Sequence, residues 1–327
     1  MSSGLVSDQA DAARQGSSPT PPPARVLVAV VTYNSQELLP ELFESLDKGL
    51  EGLDWQLVVV DNASTDDSVG TTRRLRPGAV VVERDRNAGY AAGINAAVAA
   101  GGEHDAVLVL NPDVRLERGC VARLCRALER PGIGIAVPRL LDAQGRLIPS
   151  MRREPTVLRT LGDGVLGARR VGRSPRMGET VADRAAYDVE QLTDWAEGST
   201  QLVSAACWAA CGGWDESYFL YSEETEYDLR ARDAGFGTLY VPEARATHLE
   251  GGSGTSPALW ALLVVNQVRL YRRRHRLPAT VAFWAVTLLR EVIRSLLGRA
   301  NSRAAVRTLL RPSMLRHPTG PDFLRSV

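Results

Sequence analysis

Three apolar runs that each end abruptly in polar groups constrain this chain most: residues 28–35 (VAVVTYNS), 58–68 (VVVDNASTDDS) and 109–113 (VLNPD). Such runs are too continuous for strands with one solvated face. They read as buried parallel strands that deliver side chains to their carboxyl edge. In open α/β sheets that edge is where ligands bind. A fourth segment, residues 219–236 (FLYSEETEYDLRARDAGF), adds a dense set of acids. The four together describe an active site as well as a fold.

The remaining pattern agrees. Strand signals fall at about 26–32, 56–61, 79–83, 106–110 and 133–138, with helical segments at about 36–48, 66–75, 89–100 and 117–130. This alternation predicts an α/β fold with a mostly parallel central sheet flanked by helices. Asp66 or Thr65 is suited to cap the second helix. From 139 to 193 the sequence is rich in Gly, Arg and Pro and follows neither period. A segment this long without a pattern is usually functional or disordered. Beyond it, the sequence predicts a strand over 200–208, a helix near 224–234, and two short strands near 237–241 and 244–249.

The two ends differ from the middle. Residues 1–24 are polar and rich in Pro, Ser and Ala, and are expected to form a disordered tail. Residues 25–256 form the predicted catalytic unit, and 257–327 a helical extension. Between 269 and 316 the extension has twelve arginines against one acid, Glu291. Interleaved with Leu, Val, Trp260 and Trp284, they suggest an amphipathic helical pair docking on anionic lipid. The alternative is a helical cap packed on the domain. No apolar stretch reaches the ~18–20 residues of a membrane span. The expected place is the cytoplasm, peripheral on the inner face of the plasma membrane. The net charge of +1 argues against nucleic acid as a partner. The four cysteines form no CxxC pair, which argues against zinc.

Single residues leave two readings open. Asp61 and Asn62 end a strand, where they can bind a base or ribose or simply cap a turn. Asp113, after Asn111-Pro112, is a hard oxygen ligand suited to Mg²⁺ or Mn²⁺, or an ordinary turn residue. Glu223, Glu224, Glu226 and Asp228 are either a solvated helix start or acids facing a cleft, where desolvation prepares one as a base. His248 precedes Gly251-Gly252-Ser253-Gly254, a candidate mobile lid. Trp195 can stack on a sugar or fill core. Residues 86–93 (RNAGYAAG) put small side chains at a helix start but are not GxGxxG, so a dinucleotide fold is poorly supported.

Taken in order, these motifs resemble the family-2 glycosyltransferases of the GT-A fold, and among them the bacterial rhamnosyltransferase-like members. The matching residues are Thr32-Tyr33-Asn34, residues 61–66, residues 87–95, Leu110-Asn111-Pro112-Asp113, residues 195–198, residues 213–216, Glu223-Glu224, residues 232–235 and residues 242–248. The resemblance implies an inverting transfer of a sugar, rhamnose among the candidates, from a nucleotide-sugar such as dTDP-rhamnose to a lipid-linked or cell-envelope polysaccharide acceptor. It implies that Thr32, Asn34 and Asp61 hold the base and ribose, with Asn87 beside them. It assigns Asp113 to the metal bridging the diphosphate, assisted by His248. Glu224 would be the general base, Glu223 its neighbour, and Trp195 part of the acceptor side. The family's usual Glu-Asp pair is Glu223-Glu224 here. Two other classes fit less well. A nucleotidyltransferase would want a Gly- and Arg-rich loop where this chain has Thr32-Tyr33-Asn34-Ser35, and a non-catalytic binding relic would not be expected to keep Asp61, Asp113, Glu224 and His248 together.

Overall fold

Strand β1 (Arg25–Thr32) is buried on both faces: Val26, Val28 and Val30 pack to one side, Leu27, Ala29 and Val31 to the other. This is why its sequence is a continuous apolar run rather than an alternating one. The computed structural model describes residues 25–249, 256–311, 313, 320 and 323–324. The expected N-terminal tail and the Gly251–Gly254 loop lie outside them.

The other strands are β2 (Asp54–Asp61), β3 (Val80–Glu83), β4 (Ala106–Leu110), β5 (Val114–Leu116), β6 (Ile133–Leu141), β7 (Met151–Arg152), β8 (Gln191–Thr193), β9 (Trp195–Ala196), β10 (Thr200–Ser204) and β11 (Gly237–His248). Nine of them form one mixed sheet in the order β3-β2-β1-β4-β10-β6-β11-β5, with β8 paired to β11. β7 and β9 pair separately. The half from β3 to β4 is parallel throughout, whereas β10 runs antiparallel to both β4 and β6.

The helices are α1 (Leu39–Gly49), α2 (Ser68–Leu75), α3 (Tyr90–Ala100), α4 (Cys120–Leu128), α5 (Val157–Gly162), α6 (Ala168–Val171), α7 (Ala205–Cys211), α8 (Glu223–Asp233), α9 (Pro257–Arg274), α10 (Leu277–Leu296) and α11 (Ala300–Leu309). α1 and α4 cover one face of the sheet, and α3, α7 and α8 the other. Each large apolar side chain buried in these layers contributes about 1.5–3 kcal/mol.

Several expectations are corrected. The strand predicted over 200–208 ends at Ser204, whose side chain accepts a hydrogen bond from Cys207 N and caps α7. The two strands predicted near 237–241 and 244–249 are one strand, β11, with its register broken between Val241 and Arg245, around Pro242. Proline has no N–H to give the ladder, so the strand continues only past a bulge. Asp67, not Asp66 or Thr65, is the N-cap residue of α2, and Asp66 instead accepts from Ser68 N (3.1 Å) and Ser68 Oγ (2.6 Å). The unpatterned 139–193 region holds the end of β6, β7, α5, a π-helical turn (Asp163–Gly167), α6 and β8.

The C-terminal helices pack on the rest of the chain. Leu262, Val265, Val268, Tyr271 and Phe283 build a third core with Phe219. Arg269 and Arg273 lie over the Tyr218 ring, Arg273 pairs with Asp215, and Arg274 reaches Glu154 (3.2 Å) and Asp233 (2.9 Å). Trp260 and Trp284 donate their indole N–H to Glu291 (2.8 Å) and to the Leu309 carbonyl (3.0 Å). Part of the arginine of the extension is thus paired within the protein, while Arg276, Arg299, Arg303, Arg307 and Arg311 are exposed.

Candidate active site

The direction of β10 and the register of β11 assemble the site. Because β10 is antiparallel to β4, Thr200 lies opposite Leu110, and the residues entering β10 meet the carboxyl end of β4. Asn111 N donates to the Ser199 carbonyl (2.9 Å) across that junction. β11 then pairs antiparallel with β5, so that His248 lies opposite Val114, one residue beyond Asp113. Leu249 N donates to the Asp113 carbonyl (3.0 Å) and fixes the two chains together.

The side chains follow. His248 Nε2 is 3.3 Å from Asp113 Oδ1, and His248 Nδ1 is 3.1 Å from Glu197 Oε1. Burial works against charge on His248, yet the two carboxylates outweigh it and raise its pKa to about 10.

A further part of the lining comes from the start of α8. Tyr221 (φ 70°) and Ser222 (φ 74°) are consecutive non-glycine residues in the left-handed region. That conformation is costly for such side chains and persists where the surroundings enforce it. It turns the chain so that Glu223 and Glu224 face a cavity of about 510 Å³. Glu223 is 2% exposed, and burial pushes its pKa well up, with Glu224 adding repulsion. Burial raises Glu224 to about 7, again with a carboxylate neighbour, Glu197. Gly198 permits the approach, since a Cβ there would stand 2.9 Å from Glu224 Cβ.

The four acids of this helix thus divide. Glu226 pairs with Arg230 (2.8 Å) at the surface. Asp228 is buried and accepts from Ala196 N (2.9 Å) and Gln201 Nε2 (3.3 Å), tying α8 to the sheet. Only Glu223 and Glu224 reach the cavity.

Four of the predicted residues, Asp113, His248, Glu223 and Glu224, therefore share one cavity. Thr32, Asn34 and Asp61 form a second cluster further along the same sheet edge. Thr32 Oγ1 donates to Asp61 Oδ1 (2.8 Å), and Ser64 N and Oγ donate to the same carboxylate (2.8 and 2.6 Å). Asn34, at φ 52°, accepts from Thr65 N (2.8 Å). Asn87 accepts from Gly89 N (3.0 Å) at the start of α3. Trp195 stands apart: its indole donates to the Arg153 carbonyl (3.1 Å), and it does not line the cavity. Sequence reasoning gave no role to Glu197, Tyr90 or Tyr221, which do line it. For Glu197 the available signal was an acid beside glycine inside the Trp195 motif.

A cation fits this donor set in part. Asp113 offers a hard oxygen, and the His248 nitrogen facing it becomes a suitable second ligand for a divalent ion once it gives up its proton. Glu197 meets the other ring nitrogen, so it orients the imidazole rather than joining the same coordination sphere. Among the described residues no group of three or more His, Cys, Asp or Glu side chains could hold a metal ion.

Comparison with known proteins agrees with this geometry. Residues 27–176 match the sequence profile described as Glycosyl transferase family 2. The chain is 31% identical over 245 residues to the N-acetylglucosaminyl-diphospho-decaprenol L-rhamnosyltransferase of Mycobacterium tuberculosis H37Rv, covering 71% of this chain and 78% of that one. The chain belongs to glycosyltransferase family 2. The glycosyltransferase also shares its fold with enzymes of low sequence identity. The mannosyltransferase PcManGT of Pyrobaculum calidifontis, solved with GDP-Man and Mn²⁺, superposes with a TM-score of 0.53 at 15% identity, covering 94% of this chain and 86% of that one. TarS 1–349 of S. aureus, solved with UDP, gives a TM-score of 0.51 at 17% identity over 87% and 90% of the two chains. The fold of the glycosyltransferase is GT-A, as its sequence motifs imply.

Proposed function

We propose that this glycosyltransferase moves a hexose, with inversion, from a nucleoside-diphosphate sugar to a hydroxyl of a lipid-linked or cell-envelope polysaccharide acceptor. The observation that supports this reading is that Glu223, Glu224, Asp113 and His248 line one cavity. Its volume of about 510 Å³ is in the range of small-molecule sites.

Each wall has its role. Thr32, Asn34 and Asp61 bind the base and ribose at the ends of β1 and β2, with Asn87 beside them. The diphosphate reaches toward Asp113. Its negative charge would be repelled by the carboxylates of Asp113 and Glu197 unless a cation entered with it. Asp113 and His248 would hold that divalent ion, which supplies charge neutralisation for the departing nucleoside diphosphate. Glu224, with its pKa near 7, accepts the proton of the attacking acceptor hydroxyl. Glu223, held higher, stays protonated beside it. Two neighbouring acids with separated pKa values can divide the roles of base and neutral partner. The activity of the mycobacterial relative supports rhamnose as the sugar and a diphospho-polyprenol glycan as the acceptor class. The unit that performs this is residues 25–256, with residues 257–327 as a C-terminal extension.

Turnover of UDP-, GDP- and dTDP-sugars with Mn²⁺ and with EDTA tests the reading. Metal-dependent turnover of one donor supports it. Turnover that EDTA leaves unchanged would remove the cation from the account.

A further inference from the structure

Helix α10 buries its charge together with Phe283 and leaves an apolar face outside. Its charged residues are Arg290, Glu291 and Arg294, and they face the protein: Glu291 is 0% exposed and takes Arg290 (2.9 Å) and Arg294 (3.2 Å) as partners. Its outward residues are apolar, with Val281 52%, Leu289 47% and Leu296 83% exposed. A helix on a water-soluble surface turns polar and charged residues outward. The outward face runs the length of the helix, ~30 Å for its size.

A second element extends it. α5 and the π-helical turn after it pack against α10, and Gly164 lies over the Arg290 stem. They also present Leu158, Leu161, Val165 and Leu166 to the outside. Scattered exposed leucines need no explanation, but a contiguous apolar surface on two packed elements marks an interaction site.

Charge identifies the occupant. Over residues 157–178 and 269–311 the only acids are Asp163 and Glu291, and neither is exposed. The exposed charges in these segments are arginines: Arg170, Arg173 and Arg276 flank the two elements, with Arg299 and Arg303 just beyond α10. A second copy of the same face would bring arginine against arginine. An anionic lipid surface answers both the apolar face and its basic rim. No helix among the described residues is long and apolar enough to cross a membrane, so the contact is with one leaflet.

We propose that the outer face of α10, together with α5 and its π-helical turn, seats the enzyme in the interface of an anionic bilayer. The contact is leucine and valine in the acyl boundary with arginine at the headgroups. It differs from an arginine-faced amphipathic helix, because much of the arginine of α9 and α10 is spent on internal pairs. The seated module also adjoins the cavity: Asn266 of α9 donates to the carbonyls of Leu220 and Tyr221 (3.0 Å each), two residues of the cavity wall. The inference does not depend on the reaction assigned above.

The test is co-sedimentation of the full chain with phosphatidylglycerol–phosphatidylcholine vesicles and with phosphatidylcholine vesicles alone, without any sugar donor. The full chain is expected to bind the anionic vesicles. The pair V281E/L289E and, separately, the pair L158E/V165E are expected to lower the vesicle partition coefficient about ten-fold or more. These side chains point outward, so thermal melts are expected to stay unchanged. The uncharged pair V281S/L289S lowers binding as well. Absence of binding to anionic vesicles, or glutamate variants that bind like the unmodified chain, overturns the proposal. So does a dimer that V281E/L289E dissolves in the absence of vesicle binding, which would assign this face to a second copy.

Discussion

Glu197 Oε1 lies 3.1 Å from His248 Nδ1, and Asp113 Oδ1 lies 3.3 Å from the opposite ring nitrogen. The imidazole thus stands between two carboxylates before any ligand arrives. A carboxylate on the far nitrogen of a metal-binding histidine fixes its tautomer and raises its basicity.

It follows that Glu197→Ala weakens Mn²⁺ binding by about 10–100-fold, while activity returns in part at high Mn²⁺. Glu197→Gln, which still offers an oxygen to the ring, loses less. Mn²⁺ titration of donor turnover, and calorimetry of Mn²⁺ in the presence of nucleoside diphosphate, read this directly. Equal Mn²⁺ affinity in all three proteins would assign Glu197 another role.

Stability should fall as pH rises through neutrality. Burial raises Glu223 and Asp228 well above the ordinary carboxylate range and Glu224 to about 7. Unfolded, these groups release their protons near pH 4–5. Between that pH and about 7 the native state binds more protons than the unfolded one, so unfolding free energy declines with increasing pH. Glu224→Gln removes part of this cost and is expected to be more stable than the unmodified chain at pH 8, by about 1 kcal/mol. Urea melts of both proteins at pH 5 and pH 8 measure it.

Among the described glycines, Gly89 is the one where positive φ and an overlap with backbone coincide. It sits at φ 97°, and a Cβ would stand 2.4 Å from the Phe219 carbonyl oxygen. That oxygen accepts from Tyr90 N (3.0 Å), so the start of α3 and the segment leading to Glu223 are held together. Gly89→Ala is predicted to cost about 2 kcal/mol or more, because left-handed strain and overlap add. The same substitution at Gly145, also at positive φ but open to solvent, should cost about half as much. Thermal melts distinguish the two.

The sequence made the parallel half of the sheet readable because each strand there is a buried apolar run with its polar residues at one end. β1, β2 and β4 lie within two residues of where those runs predict them. Asp113, His248, Glu223 and Glu224 were legible because they sit at the ends of such runs or in a cluster too acidic to ignore. Glu197 was not, since its place depends on β10 running antiparallel beside β4, which no local pattern encodes. The strand predicted through Trp208 failed because Ser204 is a helix cap, and a cap outweighs the β preference of the residues after it. Which arginines of the extension are paired inside the protein was not legible, because composition cannot distinguish a paired arginine from an exposed one. Arg273 and Arg274 find Asp215, Glu154 and Asp233 only through tertiary contact.

The central claim is that Glu224 is the base of a sugar transfer. The most direct measurement is the steady-state rate of glycosyl transfer as a function of pH for the unmodified chain and Glu224→Gln, together with the affinity of each for the nucleoside diphosphate. The account predicts a rate that rises with pH through about 7 in the unmodified chain. In Glu224→Gln the rate should fall by about 10²–10⁴-fold and lose that rise, with nucleotide affinity kept. A Glu224→Gln enzyme that keeps both its rate and the rise near pH 7 would contradict it.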